Sequence, residues 1–330
     1  MGFAGFLVRE ATQAGLTPLA QGETWVLTPA PATTSPAFVG CCFAHAALVD
    51  SVELRGASVN AAARTLLDWF LASCRDERFE QPWPLQFRAD YSVPGLTRRV
   101  AAIEREFSEN FTKRLARVAR LARPQPAAPR GPARGLFLFF HDFENFRASR
   151  AAILGGQRRM ADDPGAPSRS YLKVEEAYGV LGREPREGET VADLGAAPGG
   201  WSFSAAKRGA SVLALDNGPL KGAALGHPLI SHEQADAFRH APAPGKTYDW
   251  LFCDVVDDPV KVLALLEHWV AQRWCHRFIV NLKFGRTDPL PLLRRATALG
   301  ESLPRACSTV WARHLFHDRE EFTLVGELRA

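Results

Sequence analysis

Four ionisable residues stand where apolar runs end or helices begin, and their types suit proton transfer. They are Lys173 in SRSYLK, Asp254 after WLFC, Lys283 after IVNL, and Glu321 in REEFTL. Each alone is more often a structural charge. Together, two ammonium groups and two carboxylates can set one another's protonation, and a lysine serves as a base only where burial or a neighbouring cation favours its neutral form. Such a base suits a poor nucleophile that must lose its proton as it attacks. Asp254 would orient Lys283, and holding the reacting groups at near-attack distance would supply most of the remaining rate.

The strongest local signal lies upstream, in the run from Asp193 to Ser202 (DLGAAPGGWS), placed after one apolar strand and before a helix. Gly195, Gly199 and Gly200 allow a tight turn and close backbone approach to a ligand, and the loop could present backbone N–H groups to it. About twenty residues on, Asp216 ends the next strand, where an acid can accept from a ribose diol. Asp236, in QADAF, could reach an adenine amine or be an ordinary surface carboxylate. The spacing is not G-x-G-x-x-G, and the proline with paired glycines suits S-adenosylmethionine (AdoMet) better than a pyrophosphate-bearing cofactor. The candidate cofactor residues are Ser170, Asp193, Gly195, Ala196, Pro198, Gly199, Gly200, Trp201, Asp216, Asp236 and Asp254.

Positioning these residues requires alternating strands and helices. Val191 to Leu194, Ser211 to Leu215, Trp250 to Asp254 and Phe278 to Leu282 read as strands; Trp201 to Arg208 and Pro259 to Trp269 read as helices. Such alternation predicts an α/β fold with a mostly parallel sheet and helices on both faces, a Rossmann-like arrangement that binds ligands at the carboxyl ends of its strands. Upstream, proline-rich breaks at Gln81 to Pro84 and Pro124 to Gly135, the latter too rich in Pro and Gly for helix or strand, and a third at Ala161 to Ser168, predict units over 1–80, 81–160 and 161–330. The first shows an α+β pattern, with a strand-like Thr24 to Thr28, an apolar run at Phe38 to Phe43 and a helix from Val59 to Ser73. In the second, Ile103, Phe107, Phe111, Leu115 and Val118 recur at helical spacing before a buried strand at Leu136 to Phe140.

The net charge of the 330 residues is +4, yet Arg98 to Arg134 alone holds ten Lys/Arg against three Glu. Lys113, Arg114, Arg117 and Arg120 fall on the polar side of the helix there, which is either a solvated face or an RNA contact. Six cysteines are scattered without metal-ligand spacing, so no metal is expected. No apolar run approaches the roughly 18 to 20 residues that cross a bilayer, and the first residues lack a secretion pattern, so a soluble cytoplasmic protein is expected.

At these residues the chain resembles the FtsJ-type ribose 2′-O-methyltransferases, and more closely the bacterial ribosomal large-subunit methyltransferase M family. The resemblance rests on APSRSYLKVEEA (166–177), the glycine run, LDNGP (215–219), LFCDVVDDPVKV (251–262), WCHRFIVNLK (274–283) and LFHDREEFT (315–323). It implies methyl transfer from AdoMet to a cytidine ribose of 23S rRNA, free or in a precursor particle; a monomer is expected. It also implies that Lys173, Asp254, Lys283 and Glu321 form the catalytic tetrad with Lys283 as base, and that Asp193, Gly195, Trp201, Asp216 and Asp236 line the AdoMet pocket. In more distant FtsJ-type enzymes the second lysine lies two positions earlier, where this chain has Asn281. The N-terminal half would be a ferredoxin-like region followed by an RNA-binding THUMP unit, with Gly2 to Gly15 as the first helix and the leading strand missing. Two other readings stay open: an AdoMet-binding RNA-binding or assembly factor without catalysis, and a nicotinamide-linked reductase.

Overall fold

The computed structural model describes residues 3–29, 40–124 and 130–330, which form two compact units meeting at Gly155 and Gly156.

The first unit opens with helix α1 (Ala4–Gln13) and a two-stranded ribbon of β1 (Ala20–Gln21) and β2 (Val26–Leu27), the latter inside the expected strand at Thr24 to Thr28. The run expected at Phe38 to Phe43 begins outside the described residues. Cys42 and Phe43 are buried, and their N–H groups donate to the Glu10 carboxylate at 2.8 and 3.1 Å. The main sheet is built from β3 (Ala46–Val49), β4 (Val52–Arg55), β5 (Trp83–Ala89), β6 (Ala122–Arg123), β7 (Arg130–Phe140) and β8 (Asn145–Gly155). Its order is β3-β8-β7-β5-β6, with β4 also on β8. Helices α2 (Val59–Ser73) and α3 (Leu96–Leu121) cover one face. Leu66 and Phe70 of α2 and Ile103, Phe107 and Phe111 of α3 meet Leu136, Leu138 and Phe140 of β7 in one core. Period-two alternation sends Phe137 to the other face, against Ala152 and Leu154.

Two expectations differ here. The division near residue 80 falls inside this unit, because β3 and β4 pair with β8 across it. The stretch from Arg130 to Gly135 is strand despite its Pro and Gly. Pro132 is tolerated there because Arg130 to Arg134 pair only with β8, and the parallel partner β5 joins from Leu136 onward. Gly135 is required at the crossing, since a Cβ on it would lie 2.3 Å from the Pro84 carbonyl oxygen.

The second unit follows a loop over the expected break at 161–168. Helix α4 (Tyr171–Leu181) leads into β9 (Thr190–Leu194), α5 (Gly200–Ala206), β10 (Ser211–Leu215), β11 (Ile230–Glu233), β12 (Tyr248–Cys253), α6 (Pro259–Ala271), β13 (Cys275–Lys283), α7 (Pro289–Thr297), α8 (Ser302–Ala306), β14 (Cys307–Arg313) and β15 (Glu321–Leu328). The sheet order is β11-β10-β9-β12-β13-β15-β14. The first five strands are parallel, and β15 runs antiparallel to both β13 and β14. The central strands read as continuous apolar runs because both faces are covered. Phe252 and Ile279 pack with Val174, Tyr178 and Trp201 on one side, while the alternate residues Leu251, Phe278 and Val280 are buried as well. Strand order reverses between β9 and β12, so a crevice opens beyond their carboxyl ends. Asp193 and Asp254 sit at that point.

Candidate active site

The turn after β9 is built by its glycines, but for contacts within the protein. Gly195 has φ +75°, and a Cβ there would lie 2.6 Å from Val255 Cγ2; Gly199 has φ +108°, with Ala224 Cβ at 2.5 Å. At Gly200 a Cβ would meet Ser170 Oγ at 2.8 Å. The Ala197–Pro198 peptide is cis.

The amides of this turn are already engaged, contrary to the expectation that they face a ligand. Those of Gly195 and Ala196 donate to the Leu215 carbonyl at 2.9 and 3.2 Å, and that of Gly199 to Ala196 at 2.6 Å. Ala197 N–H donates to Asp216 Oδ2 at 3.0 Å, and Gly218 N–H to Asp216 Oδ1 at 2.7 Å. Asp216 therefore ties the turn to the end of β10. The side chains at the turn are acceptors: Asp216 keeps further lone pairs, and Asp193 is fully buried with Oδ2 accepting from Ser202 at 2.6 Å and Oδ1 without a partner among the described residues. Burial, reinforced by the charges of Asp254 and Asp216, pushes the Asp193 carboxyl up to about 7 against the Ser202 hydrogen bonds.

Three expected pocket residues are placed differently from one another. Trp201 is in the core rather than on a pocket wall, its ring edge-on to Phe252 and its indole N–H donating to the Ser170 carbonyl at 2.9 Å. Ser170 thus anchors α5 to α4, with its hydroxyl 2.7 Å from that of Ser168. Asp236 is half exposed in a turn after β11, pairing with Arg239 at 3.3 Å.

The four residues from separate strand and helix ends converge. Lys173, in the first turn of α4, places Nζ 2.5 Å from Glu321 Oε1 and 3.9 Å from Asp254 Oδ1. Lys283 Nζ lies 2.8 Å from Asp254 Oδ1 and donates to the Asp254 carbonyl at 2.6 Å. Burial disfavours the Lys173 ammonium, yet the charges of Asp254 and Glu321 outweigh it and raise its proton affinity above the usual lysine range. Lys173 is therefore held as a cation of the cluster, and Lys283, at the end of β13, is the more exposed of the two side chains.

Sequence reasoning missed the layer beneath. Glu176, one helical turn after Lys173, is fully buried; its Oε1 accepts from the Arg158 and Phe316 amides at 3.0 Å each. Burial raises its carboxyl to about 7, with these backbone donors opposing. Asp318 accepts from Leu315 N–H at 2.9 Å and from the Thr323 hydroxyl at 3.2 Å; burial and then the Glu321 charge raise it well above the carboxylate range. Both shape the turn between β14 and β15 that delivers Glu321. Nothing in the VEEA pattern marks Glu176, whose partners lie far along the chain.

The basic residues proposed for RNA, Lys113, Arg114, Arg117 and Arg120, are exposed on α3 of the first unit. Helical geometry breaks at Leu115 (φ −139°, ψ 59°), so they fall on two segments. Arg114 pairs with Asp68 at 3.4 Å. Among the described residues there is no cluster able to hold a metal ion, and no helix is long and apolar enough to cross a membrane.

Residues 166–282 match the model of the FtsJ-like methyltransferase family. The Ribosomal RNA large subunit methyltransferase M of Xanthomonas oryzae pv. oryzae (strain PXO99A) is 33% identical over 297 residues, covering 86% of this chain and 81% of that one. The chain belongs to this methyltransferase M family. Its namesake in Marinomonas sp. (strain MWYL1) is 38% identical over 189 residues, covering 54% of this chain and 53% of that one. The match spans about half the length of this and other curated family members. TrmN from Thermus thermophilus has a related structure with 16% identity, covering 99% of this chain and 97% of that one, at a TM-score of 0.36, too distant to carry an argument. The FtsJ-like segment contains Lys173, Asp193, Asp216 and Asp254; Lys283 directly follows it, and Glu321 lies farther downstream.

Proposed function

We propose that this methyltransferase M family member transfers a methyl group from AdoMet to a ribose 2′-hydroxyl, that of a cytidine in 23S rRNA. The observation that carries the reading is the pairing of two lysines with two carboxylates at the strand ends beside the glycine turn. The acceptors at the turn are the carboxylates of Asp193 and Asp216, which suit a ribose diol and a cationic amino-acid moiety. A pyrophosphate needs the amides that Leu215 and Asp216 already occupy. The orphan Oδ1 of Asp193 and the free lone pairs of Asp216 would hold the cofactor. When bound, AdoMet would supply an electrophilic methyl on a sulfonium whose carbon–sulfur bond breaks with the electron pair kept on sulfur, so that the leaving group is a neutral thioether.

The chain's own residues then position and deprotonate the hydroxyl. Glu321 is neutralised by Lys173, which stays charged. Asp254 fixes Lys283 Nζ at the mouth of the crevice. In its amine form Lys283 accepts the hydroxyl proton at Nζ as the oxygen forms its bond to carbon, a contribution of about 10²- to 10⁴-fold. The basic face of α3 supplies phosphate contacts, and a cytoplasmic monomer without a metal fits this chemistry. The test is transfer of labelled methyl from AdoMet to unmodified 23S rRNA, followed by mapping of the product. Label appearing at a cytidine 2′-oxygen is the expected result, and none on the RNA overturns the reading.

A further inference from the structure

At the centre of the cluster is a residue that is neither acid nor base. Asn281 is fully buried on β13, and strand alternation sets its side chain on the same face as that of Lys283. Its Nδ2 donates to Asp254 Oδ1 and to Glu321 Oε2, at 3.1 Å each. An amide nitrogen has two hydrogens, so both donors are spent on the two carboxylates. Its Oδ1 is buried and has no partner among the described residues.

The register makes this bridge consequential. Lys283 lies directly opposite Glu321 in the β13–β15 pairing, and Asn281 opposite Thr323. A lysine facing a glutamate across an antiparallel pair ordinarily bonds it. Here the diagonal amide takes Glu321 Oε2, and Lys173 takes Oε1. Asn281 bonds Asp254, after β12, and Glu321, on β15. Lys173 on α4 and Lys283 on β13 pair with those carboxylates. Asp193 is coupled to Asp254, and Asp318 to Glu321 and Glu176. The buried Arg313 of β14 lies across from Thr323, the residue opposite Asn281. A neutral donor joins the two carboxylates without changing the balance of two cations and two anions.

We propose that Asn281 is a positioning residue that holds Glu321 on Lys173 and away from Lys283, so that Lys283 keeps Asp254 as one anionic partner instead of two. The inference rests on Lys283 as the proton acceptor of the proposed reaction. It predicts that loss of the bridge lets both carboxylates converge on Lys283 and hold its proton more firmly.

The experiment uses the full chain with Asn281→Leu, close in shape but without a donor, and Asn281→Asp, close in shape with a third carboxylate. Two quantities are followed against pH: kcat and KM for methyl transfer, and the rate at which acetic anhydride acylates Lys283, read by mass spectrometry. The expected result for Asn281→Leu is kcat lower by about tenfold or more with KM for AdoMet within about twofold. Both its pH–rate and acylation profiles move to higher pH, and Asn281→Asp moves them further. Folded variants with a lower Tm but unmoved profiles would make Asn281 a packing residue only and overturn the proposal. If Asn281→Leu does not fold, Asn281→Asp decides by the same readings. A wild-type chain that transfers no methyl refutes the functional reading, and the acylation profiles still decide the role of Asn281.

Discussion

Lys283 and Glu321 are direct cross-strand neighbours, yet the Lys283 ammonium sits 2.8 Å from Asp254 and the Glu321 carboxylate 2.5 Å from Lys173. In the proposed reaction the two lysines take separate tasks, Lys173 the cation and Lys283 the base. Replacing Lys283 with Ala should therefore lower single-turnover methyl transfer by about 10²- to 10⁴-fold. AdoMet affinity by calorimetry should change little, because the cofactor acceptors lie on β9 and β10. A Lys283→Ala protein at full rate would place the base elsewhere.

Asp216 accepts from Ala197 and Gly218, and so shapes the turn as well as facing the crevice. Asp216→Ala should weaken AdoMet binding by roughly 1 to 3 kcal/mol, measured by calorimetry. Unchanged affinity would remove the residue from the cofactor site.

Gly199 combines φ +108° with a Cβ position 2.5 Å from Ala224. Gly199→Ala should cost about 1 to 3 kcal/mol of stability in urea denaturation, and should weaken AdoMet binding because the turn cannot keep its path. A midpoint equal to wild type would mean that α5 shifts without loss.

The buried Glu176 makes stability depend on pH in a definite direction. Its carboxyl rises from 4.5 in the unfolded chain to about 7 in the fold, so the folded state binds the extra proton between those values. Its contribution is fully present below pH 4.5, falls as pH rises through that window, and levels off above 7, a change of about 3 kcal/mol. Glu176→Gln keeps an acceptor for the Arg158 and Phe316 amides but cannot ionise. Urea midpoints of Glu176→Gln relative to wild type should therefore rise from pH 4.5 to 8; parallel midpoints would show that the carboxyl titrates normally. Asp193 titrates in both proteins and cancels in the difference, whereas Asp318 feels the Glu176 charge, so the difference reports the coupled pair.

Much of the site is legible in the sequence because parallel strands buried on both faces read as apolar runs, and function begins where the runs stop. Asp254 and Lys283 are found that way, and the glycine run marks the turn after β9. Trp201 shares the same run, yet its neighbours in sequence do not reveal that its ring turns inward to Phe252. Glu176 is invisible for a different reason: its burial depends on amides of a turn some 140 positions away. The strand at Arg130 to Gly135 was hidden by local propensity, which a neighbouring strand overrides.

The basic face of α3 can be tested independently of catalysis. Replacing Lys113, Arg117 and Arg120 with Gln should flatten the dependence of log K on log salt for RNA by up to about 0.7 to 0.9 per lost contact, read by filter binding over a salt series. An identical slope would assign these residues to a solvated surface.

The reversal of β15 between β13 and β14 brings Glu321 to the finishing end of β13. Lys173 and Asn281 both bond the carboxylate that this strand carries. The cluster closes only where β15 lies between β13 and β14, so the site depends on the pairing of that one strand along both of its edges.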